Sequence, residues 1–373
     1  MQGYFTMKYY IIAGEASGDL HGGNLIKQLH ILDVNANILC WGGDLMQSAG
    51  ATLVKHYRDL AFMGFAEVLM NLRTILKNIA FCKNDILSYK PDVLVLIDYP
   101  GFNIRMAEWA KKQGIKTVYY ISPQIWAWKE NRVHTIKKHV DKMIVILPFE
   151  KDFYSKWDYK VKYAGHPLIE VIEHFKATNP KPATSEKIIA LLPGSRKQEI
   201  NIKLPVMLEV SKAFPAYKFV VAKAPGLEDS FYEPFLEQYK NISALAGKTY
   251  DVLNQATAAL VTSGTATLEA ALFGVPEVVC YKGNPVSYQI AKWVIKVKYI
   301  SLVNLIMDKP VVKELIQDEM TAENCIKELK DLLESSARKE QLQKDYTDLK
   351  NLLSKGGNAS ANAAKIIYDF VNE

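Results

Sequence analysis

Short runs of Val, Ile, Leu and Tyr, each the length of one strand, alternate with stretches of helical period along almost the whole chain. No other feature restricts the fold as strongly. In the first half the runs are Lys8–Ala13, Ile38–Trp41, Thr52–His56, Asp92–Ile97, Thr117–Ile121 and Lys142–Leu147. They are apolar on consecutive residues rather than on every second one, as parallel strands covered on both faces must be. Amphipathic stretches such as Asn24–Leu32 and Ile104–Lys112 lie between them. This rhythm predicts an α/β fold with a doubly wound parallel sheet.

The rhythm breaks at Glu173–Glu186, where Asn179-Pro180-Lys181-Pro182 favours an exposed linker. It resumes with Lys187–Leu192, Lys218–Ala222, Ala258–Val261 and Glu277–Tyr281. At 373 residues the chain exceeds the size at which one core stops growing. We therefore expect two Rossmann-like domains facing across a cleft, residues 1–170 and 171–345, followed by a helical tail, 346–373. Gly356-Gly357-Asn358 interrupts that tail before an amphipathic segment, Ala361–Val371.

Composition narrows the function classes. Hydrophobic residues at 49% and charged residues at 23% suit a globular protein with substantial cores. A net charge of +6 suits an anionic substrate or an acidic membrane surface and is too weak to argue for nucleic acid. No run of roughly 18 apolar residues predicts a membrane span, and Met1–Met7 does not read as a signal peptide. The four cysteines, Cys40, Cys82, Cys280 and Cys325, are scattered and read as reduced core thiols.

In doubly wound sheets ligands bind beyond the carboxyl ends of the strands, so the loops after strands carry the chemistry. In the second half one strand runs into Gly194-Ser195-Arg196, where glycine allows close backbone approach and arginine offers a planar fork for phosphate. Another runs into Ser263-Gly264-Thr265-Ala266-Thr267-Leu268-Glu269 at a helix start, which suits a pyrophosphate. There Glu269 either accepts from ribose hydroxyls or sits in solvent while Ser263 or Thr265 caps the helix. In the first half Gly14-Glu15-Ala16-Ser17-Gly18-Asp19 either lines the cleft or forms an N-cap through Ser17 or Asp19. Asp98 follows the wholly apolar Val93–Ile97 and is either a turn aspartate or a base placed to take a proton from a hydroxyl.

Trp126 and Trp128 in Ser122–Trp128 are either an apolar wall or buried structural residues, and His166 reads better as a satisfied turn histidine. No Asp-x-Asp pair and no ligand-spaced histidines are present, so neither a metal nor a cofactor is implied. Residues 61–80 are more apolar than a core-facing stripe requires and suit a core or dimer contact or an interfacial membrane face. Basic residues gather at Lys129, Arg132, Lys137, Lys138 and Lys142, and at Lys292, Lys296 and Lys298 beside Trp293; such runs are solvated helix faces or attract anionic lipid.

Taken in order, AGEASGDLHGG, MGFAEVL, IDYPGFN, YYISPQIWAWKENRV, LPFEKDFY, AGHPL, LPGSRKQEI, TSGTATLEAAL, YISLVNLI and VVKELIQ span about residues 8–320. This set resembles the lipid-A-disaccharide synthase family. The resemblance implies a GT-B fold and an inverting, metal-independent transfer of 2,3-diacylglucosamine from its UDP conjugate to the 6-hydroxyl of 2,3-diacylglucosamine 1-phosphate (lipid X). The products are the β-1,6 disaccharide 1-phosphate and UDP. It also implies Asp98 as general base, with Glu15, Ser17 and Asp19 on the acceptor side. Gly194, Ser195, Arg196, Ser263, Gly264, Thr265, Thr267, Glu269 and Asn304 then lie on the UDP side. The family works in the cytoplasm at the inner face of the cytoplasmic membrane, and a homodimer with a swapped C-terminus occurs in it. Two other readings compete: a different GT-B enzyme acting on UDP-N-acetylglucosamine, and a non-catalytic nucleotide- or lipid-binding protein.

Overall fold

Consecutive apolar residues in a strand point to opposite faces of its sheet, and the architecture follows from what covers each face. The computed structural model describes residues 6–60, 72–182, 186–224, 226–284, 288 and 297–373. Its first sheet contains β1 (Lys8–Ala13), β2 (Asn37–Gly42), β3 (Thr52–His56), β4 (Val93–Ile97), β5 (Lys116–Tyr120), β6 (Lys142–Val145) and β7 (Lys162–Tyr163). They lie in the order β3-β2-β1-β4-β5-β6-β7, every neighbour parallel.

Tyr9, Ile11, Ala13, Val95 and Ile97 face one side of this sheet. They pack on Leu25, Ile26 and Leu29 of the helix Ala16–Leu32 and on Ala363, Ala364 and Ile367 of the helix Ala359–Asn372. Tyr10, Ile12, Leu94 and Leu96 face the other side and pack with Cys82, Ile86, Phe102 and Met106. Each of the buried Val, Ile, Leu, Phe and Met side chains contributes about 1.5–3 kcal/mol by leaving water.

The second sheet contains β8 (Ile188–Leu192), β9 (Lys218–Lys223), β10 (Ile242–Ala246), β11 (Ala256–Thr262), β12 (Glu277–Tyr281) and β13 (Lys313–Ile316). Its order is β10-β9-β8-β11-β12-β13, again parallel throughout. All ten sequence-read runs are strands here, within a residue or two at their ends. The three strands that the pattern does not reveal, β7, β10 and β13, are all sheet edges. An edge strand has one neighbour and more solvent, so its sequence needs less continuous hydrophobicity.

The chain divides into one unit of Met1–Pro167 with Leu353–Glu373 and another of Leu168–Leu352. Where the sequence reading sets 346–373 apart as a tail, residues 353–373 belong to the first unit. Asn358 caps the last helix by accepting from the N–H of Ala361 at 2.7 Å, and Asn362 Nδ2 donates to the carbonyl of Ala164 at 2.9 Å. At the other end Lys116 Nζ donates to the carbonyls of Phe370 and Val371, both at 3.0 Å, which satisfies the negative end of the helix dipole.

All four cysteines are buried and free. Of the apolar segment 61–80, residues 61–71 lie outside the described residues, as do Lys292, Trp293 and Lys296. Among the described residues no helix is long and apolar enough to cross a membrane.

Glu277, the first residue of β12, is fully buried, and neither carboxylate oxygen has a hydrogen-bond partner among the described residues. Burial pushes its carboxyl well above the value near 4.5 of an unfolded glutamate. Above that value the unfolded chain releases the proton that the folded chain keeps, so stability falls as pH rises, by up to about 1.4 kcal/mol per pH unit. Glu277→Gln is expected to remove this slope. The difference in Tm between variant and wild type should widen in favour of the variant from pH 5.5 to 8.5; parallel curves would count against a neutral buried acid.

Candidate active site

In each sheet the strand order reverses once, between β1 and β4 in the first unit and between β8 and β11 in the second. Such reversals open a crevice at the carboxyl edge, where the flanking loops diverge. The loops after β1, β4, β8 and β11, which hold several of the residues singled out in the sequence, leave the sheets at these two reversals.

Ala13 of β1 pairs with Ile97 of β4, so Gly14-Glu15 and Asp98-Tyr99 leave adjacent strands side by side. Asp98 and Tyr99 both adopt left-handed backbone, with φ 45° and 49°, at a cost of about 1–2 kcal/mol each for residues with a β-carbon. Several contacts hold the turn. The Asp98 carbonyl accepts from the Tyr119 hydroxyl at 2.6 Å and from Asn103 Nδ2 at 2.8 Å, while Asn103 Nδ2 also reaches the Ile97 carbonyl at 3.1 Å. The Tyr99 ring stacks on Phe102 with centroids 5.6 Å apart. It fills the space in front of Gly14, where a β-carbon would lie 2.4 Å from the ring; only glycine fits there. Ile121, just after β5, is a third left-handed residue at this edge, with φ 64°. Strain concentrated in this way persists only where the surroundings over-determine it and is a common mark of functional sites.

Burial, and then the negative charge of Glu15, push the Asp98 carboxyl up to about 7; a hydrogen bond from the Tyr99 backbone opposes them. Ser17 lies exposed in the first turn of the helix Ala16–Leu32. Asp19 does something else. It is buried and accepts from the N–H groups of Gly43, Leu45 and Met46 at 2.8, 3.1 and 3.0 Å, which ties down the loop after β2. Neither Ser17 nor Asp19 caps that helix: its N-cap is Glu15, whose side chain makes no capping bond. The two indoles after β5 also part company. Trp126 is buried edge-on against Phe149, and Trp128 is 48% exposed with Lys129 Nζ 4.0 Å from its ring centre. His166 is buried near His21, and burial holds it neutral, down to about 3.

In the second unit Leu192 of β8 pairs with Val261 of β11, so the two phosphate-compatible loops leave adjacent strands. Gly194 turns the first loop at φ 122°, a value that a side chain resists. Ser195 and Arg196 are exposed. Arg196 lies 3.4 Å from Glu199, whose second oxygen is 3.6 Å from Lys203 Nζ. Lys203 is buried and donates to the Thr262 hydroxyl; burial lowers its pKa, and Glu199 opposes that shift. Arg196, Glu199 and Lys203 recur at helical spacing, a signal the motif reading passes over.

The second loop starts the helix Thr265–Phe273. Its N-cap, Gly264, has no side chain to claim the first-turn N–H groups, and Thr265 is exposed beside them. Thr267 is buried and donates to the Gly264 carbonyl at 2.8 Å, while Ser263 donates to the Ile300 carbonyl at 2.8 Å. Glu269, half-buried, accepts from the Tyr250 hydroxyl at 3.0 Å, and burial raises its pKa, so it is not unpaired. Asn304 is internal. Its amide donates to the Val312 carbonyl and to Glu314, and its oxygen accepts from Val312 N, all at 2.9 Å. It braces the loop that Ser263 grips rather than presenting a free group. Among the described residues no group of three His, Cys, Asp or Glu side chains is arranged to hold a metal ion.

Comparison with known proteins bears on this geometry. The profile of the family described as lipid-A-disaccharide synthetase matches residues 9–367. The lipid-A-disaccharide synthases of Geobacter metallireducens and Trichlorobacter lovleyi are 38% and 37% identical, each over 97% of both chains. That of Coxiella burnetii is 37% identical over 97% of this chain and 98% of its own. Among solved structures, a UDP-GlcNAc 2-epimerase from Neisseria meningitidis bound to UDP-GlcNAc superposes with a TM-score of 0.66 at 14% identity, covering 98% of this chain and 100% of that one. The calicheamicin glycosyltransferase CalG4 superposes at 0.62 with 17% identity over 99% of each chain. At such identities these structures speak for the fold of two Rossmann-like domains alone, whereas the family match spans nearly the whole sequence. The chain belongs to the lipid-A-disaccharide synthetase family.

Proposed function

We propose that this chain transfers a 2,3-diacylglucosaminyl unit from UDP-2,3-diacylglucosamine to the 6-hydroxyl of 2,3-diacylglucosamine 1-phosphate. The observation that carries the mechanism is the Asp98 turn. A carboxylate held at a strained strand end, with its pKa raised to about 7, is matched to removing a proton from a hydroxyl at neutral pH. As Asp98 accepts that proton, the hydroxyl oxygen forms a bond to the anomeric carbon from the face opposite the diphosphate. The bond to the diphosphate breaks, UDP leaves with the electron pair, and the configuration inverts to β.

The leaving diphosphate gains charge, and the second unit offers what stabilises it. Arg196 is exposed at its edge, the uncapped first turn of Thr265–Phe273 aims N–H groups outward, and Lys203 adds a buried cation behind Thr262. Glu269, beside Tyr250, is placed one turn into that helix for the nucleoside hydroxyls. Both substrates carry acyl chains, so the same reading places the protein at the anionic inner face of the cytoplasmic membrane. Leu76, Phe81 and Leu87 on the helix Leu72–Tyr89 are exposed apolar residues consistent with such a contact.

Incubation with UDP-2,3-diacylglucosamine and lipid X should release UDP and the disaccharide 1-phosphate in equal amounts. Turnover of UDP-N-acetylglucosamine without either product would sink the reading. Asp98→Asn is expected to lower kcat by about 10²–10⁴ with UDP affinity nearly unchanged; equal turnover would remove Asp98 from the role of base. Because the base works only when ionised, kcat/KM should rise with pH through about 7. Glu15→Gln removes the charge that opposes ionisation, so this limb should move to lower pH, and an unmoved limb would show that Glu15 does not set it. Arg196→Met should weaken UDP binding by about 10- to 100-fold, the size of a lost charge-assisted contact, as read by calorimetry.

A further inference from the structure

Strand β13 delivers Gln317 to the carboxyl edge of the second sheet, two strands from the Thr262 end of β11. Strands lie about 4.8 Å apart, so Gln317 is roughly 10 Å along the edge from the loop that suits a diphosphate. The residue combines two unfavourable features. Its backbone is left-handed, with φ 54°, and the residue is only 9% exposed while Nε2 has no hydrogen-bond partner among the described residues. Its Oε1 is already engaged, accepting from Gly283 N at 3.4 Å. Buried amide hydrogens are almost always paired in folded proteins, and strained backbone tends to gather at ligand clamps. Both point to a donor held ready for a ligand.

Its neighbours indicate which ligand atom. A β-carbon on Gly283 would lie 3.7 Å from the Tyr281 hydroxyl oxygen and 3.8 Å from Gln317 Nε2, so both polar ends border the space that the glycine leaves open. Both groups are neutral: one is an amide, and burial holds the phenol protonated, assisted by the charge of Glu199. The cations Arg196 and Lys203 sit at the β8 and β11 end of the edge, where an anionic diphosphate is served. A neutral pair at the far end suits a neutral oxygen.

We infer that Gln317 Nε2, with the Tyr281 hydroxyl beside it, hydrogen-bonds a hydroxyl or carbonyl oxygen of the transferred hexosyl unit and so distinguishes the nucleotide sugar from the free nucleotide. This rests on the second unit being the donor half. Gln317 is then a specificity-determining residue, acting on the sugar and not on the diphosphate.

Gln317→Glu preserves shape and the acceptor for Gly283 N while removing both N–H donors; Gln317→Met removes both ends. For each variant and the wild type, calorimetry gives Kd for UDP and for UDP-2,3-diacylglucosamine. The expected result is donor affinity lowered at least about tenfold in both variants, a typical cost of an unpaired polar contact, with UDP affinity within threefold of wild type. Equal weakening for UDP and donor, or no change in either, overturns the assignment. If Gln317→Met does not fold, the glutamate variant alone decides, and an unchanged Tm shows that its effect is on the ligand. Failure of wild type to form disaccharide would instead count against the parent reading, while the binding comparison would still report on Gln317.

Discussion

The carboxyl edge of a parallel sheet leaves peptide groups without partners, and something must satisfy them. In the first unit that is the amide of Asn103. Buried on the helix Pro100–Lys112, it donates to the carbonyls of Ile97 and Asp98 and points also at that of Ile12, 3.5 Å away. This one side chain bridges the ends of β1 and β4, the two strands that flank the reversal of order. It thereby makes tolerable the left-handed pair Asp98–Tyr99 on which the position of the Asp98 carboxylate depends. The second unit meets the same need differently, with Lys203 on Thr262 and with Asn304 and Glu314 bracing the loop at Ile300–Ser301. In both, a buried polar side chain secures the edge and leaves exposed groups for the ligand.

The two edges differ in electrical character, and the difference suits a transfer reaction. The first buries the Asp98 carboxylate in the field of Glu15, and burial first, then that charge, raises its proton affinity. The second is built around cations and open backbone N–H groups, with the acid Glu199 shared between Arg196 and Lys203. A protein that only bound a nucleotide would need the second arrangement and would gain nothing from the strain and mutual repulsion of the first. The two kinds of edge thus belong to separate units, each with its own core.

Much of this was legible in the sequence because buried parallel strands must be apolar on both faces. That requirement made β4 and β8 conspicuous, and the first polar residues after them, Asp98 and Gly194–Arg196, conspicuous in turn. Edge strands β7, β10 and β13 escaped, since solvent on one side relaxes the requirement. With β13 unseen, Gln317 could not be read as a strand-end residue. Roles that depend on long-range partners were hidden for another reason. Asp19 and Asn304 sit in promising motifs, but the groups that engage them lie 24–27 and 8–10 residues away. Nothing in their own surroundings in the sequence says that they face inward.

The last helix has a consequence for how the molecule is made. A nascent chain emerges from its N-terminus, and domains ordinarily fold in that order. Here the unit that begins first cannot finish first. One face of its sheet, covered in part by the helix Ala16–Leu32, is completed only when Ala363, Ala364 and Ile367 arrive. The intervening unit, Leu168–Leu352, is continuous and can close while its predecessor waits. A chain cut before residue 359 therefore keeps the helix Ala16–Leu32 over Tyr9, Ile11 and Val95 but lacks the second helix that closes this core.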